Sequence, residues 1–448
     1  MTGLERYAGR RVGILGMARS GVAAARALAA AGADVVAFDD RPEAVADTPF
    51  RAGRPAEVPG LALLVPSPGV PLTHPRPHPL IEAAVAAGVP IRGDVDLFAE
   101  QLGPRPIVGI TGTNGKSTTT ALVQHLLAAA GADALMGGNI GRPVFELDPG
   151  PAERVFVLEL SSFQLDLCHA LRCRVAVWLN LTSDHLDRHG DLAGYVAAKA
   201  RIFRNQAEGD AVVIGIDDAP SREVAERLTA RGRRPIRVSL TGRPEAEIAV
   251  DDGLLVEADE VVADLRPLEN LRGRHNWQNI AVAYAAVRAL GFAPKRALAG
   301  LTSFRGLPHR MEQVARAGRV LWINDSKATN PDSAEKSLVS FPNVFWIAGG
   351  KPKPGGFRSL RPALGNVRAG FLIGMAAGEI AGDLGDLAPM HEVQTLEAAV
   401  RAASAAARAC PGDAAVLLAP ACASYDQFAN FEARGEAFRN LARAEAAR

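Results

Sequence analysis

The segment PIVGITGTNGKSTTT, Pro106 to Thr120, constrains this chain more than any other stretch. A short run of buried-type residues enters a Gly-bearing turn, and the turn opens into a helix-forming stretch. Strand, loop and helix N-terminus in that succession bring backbone amides together at one point, where an anion binds. Residues 111–118 therefore read as a phosphate loop. Gly112, Thr113, Asn114 and Gly115 supply amides, Lys116 a charge for the terminal phosphates, and Ser117 or Thr118 a hydroxyl for magnesium. The usual spacing wants glycine where Ile110 stands, so the loop is a shifted variant with Gly109 and Gly112 on either side.

A loop of this kind implies an α/β sheet, and the rest of the chain keeps that rhythm. Its 448 residues suggest about three domains at roughly 150 residues each. First come RVGIL, the turn GMARSG, an Ala-rich helix to Ala31 with Gly32 as its stop, and DVVAF; LALLV then opens into PSPGV. The second unit holds PIVGI, RVFVLEL, RVAVWLN and DAVVIGI, strands of parallel-sheet composition. A small β appendage is expected between Pro235 and Pro267, before a helix carrying HNWQNIAVAYAAV. From Gly306 the strands are VLWIN, NVFWIAGG, GFLIGM and AAVLLAP. The expected fold is three α/β domains: residues 1–102, Rossmann-like; 103–305, P-loop ATPase-like; and 306–448, Rossmann-like.

Composition narrows the function classes. A net charge of +1 with 48% hydrophobic and 22% charged residues lacks the basic excess that nucleic-acid binding brings. No apolar run nears the roughly 18 residues of a membrane span, and the start MTGLERYAGRR lacks a secretory apolar core. Cys168, Cys173, Cys410 and Cys422 form no C-x-x-C pair, so they read as buried thiols in a reducing compartment. A cytoplasmic protein with neither nucleic acid nor membrane as partner is expected.

Other motifs carry chemistry. VLELSSFQL puts Glu159 at a strand end, and WLNLTSDHLDRHG puts Asn180, Asp184, His185 and Asp187 at the next; a carboxylate and an imidazole there suit magnesium beside a phosphate loop. Lys199, in YVAAKARIF, reads either as a solvated helix lysine or as a desolvated amine able to take up carbon dioxide as a carbamate. Asn276 and Asn279 share a helix face and can read an adenine edge, although Asn276 fits a helix cap equally well. GLPHRME brings His309, Arg310 and Glu312, and INDSKATNPDS brings Asp325, Ser326, Lys327 and Thr329. Lys351 and Lys353 follow a Gly pair, and Ser424, Tyr425 and Phe431 stand in CASYDQFANF. In the first domain GILGMARSG misses G-x-G-x-x-G at Leu15, which weakens a nicotinamide reading. Ser20 and Gly21 near a helix start, Asp39 and Arg41 at one strand end, and Ser67, Pro68 and Gly69 at another fit a nucleotide diphosphate and its ribose.

In this order, the phosphate loop, LELSSFQL, NLTSDHLDRHG, YVAAKARIF, GRHNWQN, GLPHRME, NDSKATNP and PACASYDQFANFEARG resemble the Mur ligases over nearly the whole chain. The last motif and the SPG turn resemble the members that add glutamate. The resemblance implies an ATP-dependent amide ligase of peptidoglycan precursor synthesis, joining D-glutamate to UDP-N-acetylmuramoyl-L-alanine through an acyl phosphate. It implies two magnesium ions held by Ser117, Glu159 and His185 and by a carbamylated Lys199. Lys116 and Asn139, the latter in GGNIG, belong to the reacting centre. Asn276 and Asn279 take adenine, and Arg310 and Asp325 close over ATP. Ser20, Gly21, Asp39, Arg41, Ser67, Pro68, Gly69 and Asn139 take the UDP substrate; Lys327, Thr329, Lys353, Ser424, Tyr425 and Phe431 take the amino acid. A monomer is expected. Tyr425 replaces a smaller apolar residue, and the prolines of KPKPGG replace a more typical run. A ligase for another amino acid or for folate is the nearest rival, followed by a nicotinamide oxidoreductase and a non-catalytic nucleotide binder.

Overall fold

A computed structural model describes residues 3–242, 244–353 and 355–448. Pro354, one of the prolines of KPKPGG, lies outside the described residues. Among the described residues nineteen strands form three sheets. The first contains β1 (Arg11–Leu15), β2 (Asp34–Phe38), β3 (Arg51–Ala52) and β4 (Leu63–Pro66), all parallel in the order β3-β2-β1-β4. That is one half of a doubly wound α/β fold, with its crevice beyond the carboxyl ends of β1 and β4.

The second sheet is built from β5 (Ile107–Thr111), β6 (Ala134–Gly138), β7 (Val155–Glu159), β8 (Val175–Trp178), β9 (Ala211–Gly215) and β10 (Ile236–Ser239). The expected β appendage forms an edge of this sheet. β11 (Ile248–Asp251) pairs with β10, and β12 (Leu254–Glu257) and β13 (Glu260–Asp264) continue it antiparallel. The order β13-β12-β11-β10-β9-β8-β5-β7-β6 sets β5 beside β8, and the crossover leaving β5 runs toward β7 and β6 while that leaving β8 runs toward β9. Ligands bind at such a switch point.

The third sheet, in the order β14-β15-β19-β16-β17-β18, is parallel except for its first strand. It comprises β14 (Glu312–Ala317), β15 (Val320–Asn324), β16 (Val344–Gly349), β17 (Val367–Ile373), β18 (Met390–Gln394) and β19 (Ala414–Leu418). The chain divides into two compact units: residues up to Pro267 with Arg274–Phe304, and Leu268–Gly273 with Arg305–Arg448. The first two sheets share one unit.

Within each unit the sheets are covered by apolar side chains whose polar tips are satisfied. Trp178, Trp322 and Trp346 are fully buried, and their indole N–H groups donate to Ser221 Oγ, Ser404 Oγ and the Ala419 carbonyl at 2.9, 2.9 and 2.8 Å. Burying an indole without such an acceptor costs stability. Helices start on side-chain caps where the sequence provides them: Ser161 and Gln164 form a reciprocal capping box, and Asp218, Asn330, Thr395 and Asn430 cap four others. Cys168, Cys173 and Cys422 are buried thiols, whereas Cys410 is partly exposed. Among the described residues no helix is long and apolar enough to cross a membrane.

Candidate active site

The phosphate loop fills the crevice at β5. The helix Lys116–Ala129 has no side-chain cap at its start, so its first amides are offered to a ligand. Gly115 holds φ at +85°, and a Cβ there would lie 2.2 Å from Asn279 Oδ1; both conformation and space demand glycine. Lys116 Nζ bonds back to the carbonyls of Gly112 and Thr113 at 3.0 and 2.8 Å. The loop is clamped from β8: Asn180 accepts the Thr113 amide on its main-chain oxygen at 2.9 Å and the Asn114 amide on Oδ1 at 2.9 Å, so these two amides, expected to face phosphate, are spent within the protein. Its Nδ2 donates to Asn114 O at 3.2 Å and to Gln278 Oε1 at 2.9 Å. The sequence places Asn180 among the polar groups at this strand end but gives it no role on the loop, and Gln278 is not expected at the site at all.

Glu159 ends β7 and is buried. Asn139, just after β6, donates Nδ2 to Glu159 Oε1 at 2.7 Å, while Glu159 Oε2 is buried without a hydrogen-bond partner. A buried carboxylate oxygen left so costs about 1–3 kcal/mol unless a cation or water meets it. Lys199 is 1% exposed, which removes the solvated-lysine reading. Its amine donates to Gly112 O at 2.8 Å and stands 4.6 Å from the centroid of the Tyr195 ring. Burial, with the Lys116 charge adding to it, pushes the Lys199 pKa well below the ordinary lysine range. Tyr195 is itself pushed up to about 12 by burial. His185 takes a left-handed φ of 52° at the start of a short helical turn, with Nε2 3.4 Å from Asp184 Oδ2. Partial burial lowers its pKa, and Lys116 and Lys199 act in the same direction.

These groups fit a nucleotide phosphate with magnesium. Among the described residues no three His, Cys, Asp or Glu side chains gather to chelate a metal by themselves. Magnesium commonly takes only one or two carboxylates and completes its shell with phosphate oxygens and water. Glu159 Oε2 and the buried Ser117 hydroxyl at the helix start are such a partial set.

Asn276 and Asn279 do share a face of the helix Arg274–Ala289 and are both buried. The helix begins two residues before Asn276, so the capping alternative falls. Asn279 Nδ2 donates to Asn276 Oδ1 at 3.1 Å, and Asn279 Oδ1 accepts from Thr119 Oγ1 at 3.2 Å, which ties this helix to the phosphate-loop helix. In the first sheet, Ser67 Oγ donates to Gly16 O at 2.7 Å. A Cβ on Gly21 would fall 1.9 Å from Gly16 O, so the helix start bearing Ser20 and Gly21 lies against the end of β1. Asp39 accepts the Met17 and Arg41 amides at 2.7 and 3.0 Å; burial works to raise its pKa, but these bonds and the Arg41 side chain prevail and hold it low. Ser67, Pro68 and Gly69 follow β4.

The second unit brings its own set together at the carboxyl ends of β15, β16 and β19. Lys327 Nζ lies 4.7 Å from the Phe431 ring centroid. Lys351 and Ala423 exchange backbone bonds at 2.9 and 3.1 Å, which draws the loop of Lys353 beside buried Ser424. Thr329 is partly buried at the start of the helix Pro331–Leu338, and Tyr425 is 71% exposed. Asp325 is buried, accepts the Met311 amide at 3.2 Å and the Ser337 hydroxyl, and has its pKa raised by burial, with partly exposed Arg310 opposing. Missed by sequence reasoning was Arg434, fully buried, which donates to Ser326 Oγ at 3.0 Å and to Cys422 O at 3.1 Å.

The profile of the Mur ligase middle domain matches residues 110–287, and that of the Mur ligase glutamate ligase domain matches residues 309–422. A UDP-N-acetylmuramoylalanine–D-glutamate ligase of Phenylobacterium zucineum is 49% identical, the alignment covering 97% of this chain and 96% of that one. The chain belongs to the Mur ligase family. The counterpart from a Chelativorans species is 48% identical over 98% of this Mur ligase and 96% of its own length. Among solved structures, a UDP-N-acetylmuramate–alanine ligase from Thermotoga maritima superposes with a TM-score of 0.60 at 20% identity, covering 98% of this chain and 100% of that one, which shows a shared fold.

Proposed function

We propose that this Mur ligase joins D-glutamate to UDP-N-acetylmuramoyl-L-alanine at the expense of ATP, in the assembly of peptidoglycan precursors. The observation that carries the reading is likeness over almost the full length, at nearly half identity, to ligases named for that reaction. Action as a cytoplasmic monomer goes with it.

A carboxylate and an amine do not condense in neutral water, so the carboxylate needs a leaving group. The L-alanyl carboxylate attacks the γ-phosphorus of ATP, ADP departs, and an acyl phosphate forms. Glutamate's neutral amine then attacks the acyl carbon, phosphate leaves, and the amide forms with loss of a proton. The phosphoryl step asks for charge neutralisation and alignment more than for covalent help. Lys116 and the uncapped helix amides meet the terminal phosphates, and Asn180 keeps the loop in shape. Glu159, Ser117 and His185 would hold magnesium, which when bound would supply positive charge to neutralise the phosphates.

Two such ions are proposed, with Lys199 as a carbamate serving the second. Carbon dioxide adds to a neutral amine with loss of one proton, and a desolvated lysine meets that requirement at lower pH than a solvated one. Burial of Lys199 under the loop supports this reading. Asn276 and Asn279 toward adenine, Arg310 and Asp325 toward the nucleotide, the set from Ser20 to Gly69 toward the uridine diphosphate, and the Lys327, Thr329, Lys353, Ser424, Tyr425 and Phe431 set toward glutamate complete the proposal.

The test is phosphate release with UDP-N-acetylmuramoyl-L-alanine, ATP and magnesium, with D-glutamate, with L-glutamate and with neither, and the product weighed by mass spectrometry. Turnover with D-glutamate alone is expected; no product with either enantiomer would overturn the assignment.

A further inference from the structure

The loop that carries His185 is tied to the first sheet by a residue the reaction does not use. Arg188 donates from Nη2 to Pro68 O at 3.2 Å and also to Val70 O, in the turn that leaves β4. Its guanidinium carbon stands 5.1 Å from the centroid of the Phe163 ring. The same ring lies 4.9 Å from His185 and 5.5 Å from His189, centroid to centroid. His189 in turn meets Ser162 Oγ at 2.9 Å, at the start of the short helix after Glu159.

An arginine on a loop ordinarily spends its donors on a carboxylate or on water. Here the hydrogen bonds go to two main-chain carbonyls of one turn, which fixes position instead of neutralising charge. A planar guanidinium can stack on an aromatic face while its edge donates; a lysine ammonium cannot do both.

We propose that Arg188 is a positioning residue: it locks the Ser67–Val70 turn to the Phe163–His185 cluster, so that the muramoyl nucleotide is held in register with the phosphate loop. The proposal rests on the reading of that turn as part of the UDP-substrate site. Arg188 touches none of the three substrates and acts through the turn and through Phe163.

The experiment compares the full chain with its R188A, R188K and F163L variants. It reads kcat, the KM of each of the three substrates, and amide hydrogen exchange across residues 65–73 without ligand. The Val70 amide, bonded to Ser67 O at 2.9 Å, reports the turn. Loss of charged hydrogen bonds predicts a KM for the muramoyl nucleotide raised about tenfold in R188A, with the KM of ATP changed by less than about twofold. Exchange at Val70 should quicken in R188A. R188K should recover little of either, and F163L should lower kcat with a smaller change in the muramoyl KM. Equal rises in all three KM values, unaltered exchange at Val70, or full recovery by R188K would each overturn the proposal. If the unmodified chain itself fails to turn over the muramoyl substrate, the reading of the reaction falls, and the exchange comparison alone decides the role of Arg188.

Discussion

Asn139 and Glu159 are joined side chain to side chain, the amide of one donating to Oε1 of the other at 2.7 Å across the ends of β6 and β7. The bond fixes the carboxylate so that its second oxygen stays buried without a protein partner. Supports of this kind tune metal affinity by about 10–100-fold. N139A is therefore expected to raise the magnesium concentration for half-maximal phosphate release by about 10–100-fold. A magnesium titration at fixed ATP checks this, and an unchanged midpoint would remove Asn139 from the magnesium site.

Lys199 gives a prediction in carbon dioxide and another in pH. Turnover should fall in buffer stripped of carbon dioxide and return with bicarbonate, and K199R should lose about 10²–10³ in kcat, since a guanidinium cannot carry the carbamate. For stability, the folded-state pKa lies well below the lysine reference of 10.5. Between those two values the unfolded chain binds a proton that the folded chain does not, so stability rises with pH through that window and falls as pH drops. K199M should flatten this dependence in urea unfolding measured at several pH values without carbon dioxide.

Asp96 holds together parts of one unit that are distant in sequence. Its buried Oδ1 accepts the amides of His169, Ala170 and Leu171 at 2.8, 2.6 and 3.1 Å, and Arg92 Nε donates to Oδ2 at 2.7 Å. D96A strands three amides and leaves Arg92 Nε without its acceptor, while Arg92 Nη1 keeps Glu100 Oε2. A loss of about 3–5 kcal/mol is expected in urea unfolding of the whole chain.

Gly115 tests the phosphate loop. G115A must adopt a positive φ and push against Asn279 Oδ1. Strain of about 1–3 kcal/mol should weaken ATP binding by about tenfold or more in calorimetry. Thermal stability should change less than binding if the loop yields.

What could be read from the sequence was local. The phosphate loop, Lys116 and Glu159 at a strand end follow from strand-turn-helix order, whose geometry is set within a few residues. Strands buried on both faces, such as β5, β7, β8, β15 and β19, announce themselves as unbroken apolar runs. The half-exposed strands β13, β14 and β18 carry no such run, and their pairing partners decide them.

Tertiary structure alone decided the rest. YVAAKARIF reads the same whether Lys199 is solvated or buried, because desolvation is set by the loop and the Tyr195 ring packed over it. Asn279 was legible as an amide on a helix face, but not as the atom that forbids a Cβ at Gly115. Nothing local marks Arg188, Asp96 or Arg434, whose carbonyl or amide partners come from elements far away in sequence. Sequence by itself determined where backbone amides gather and which runs must be buried; only packing decided which polar side chains lose water, and desolvation turns an ordinary residue into a working one.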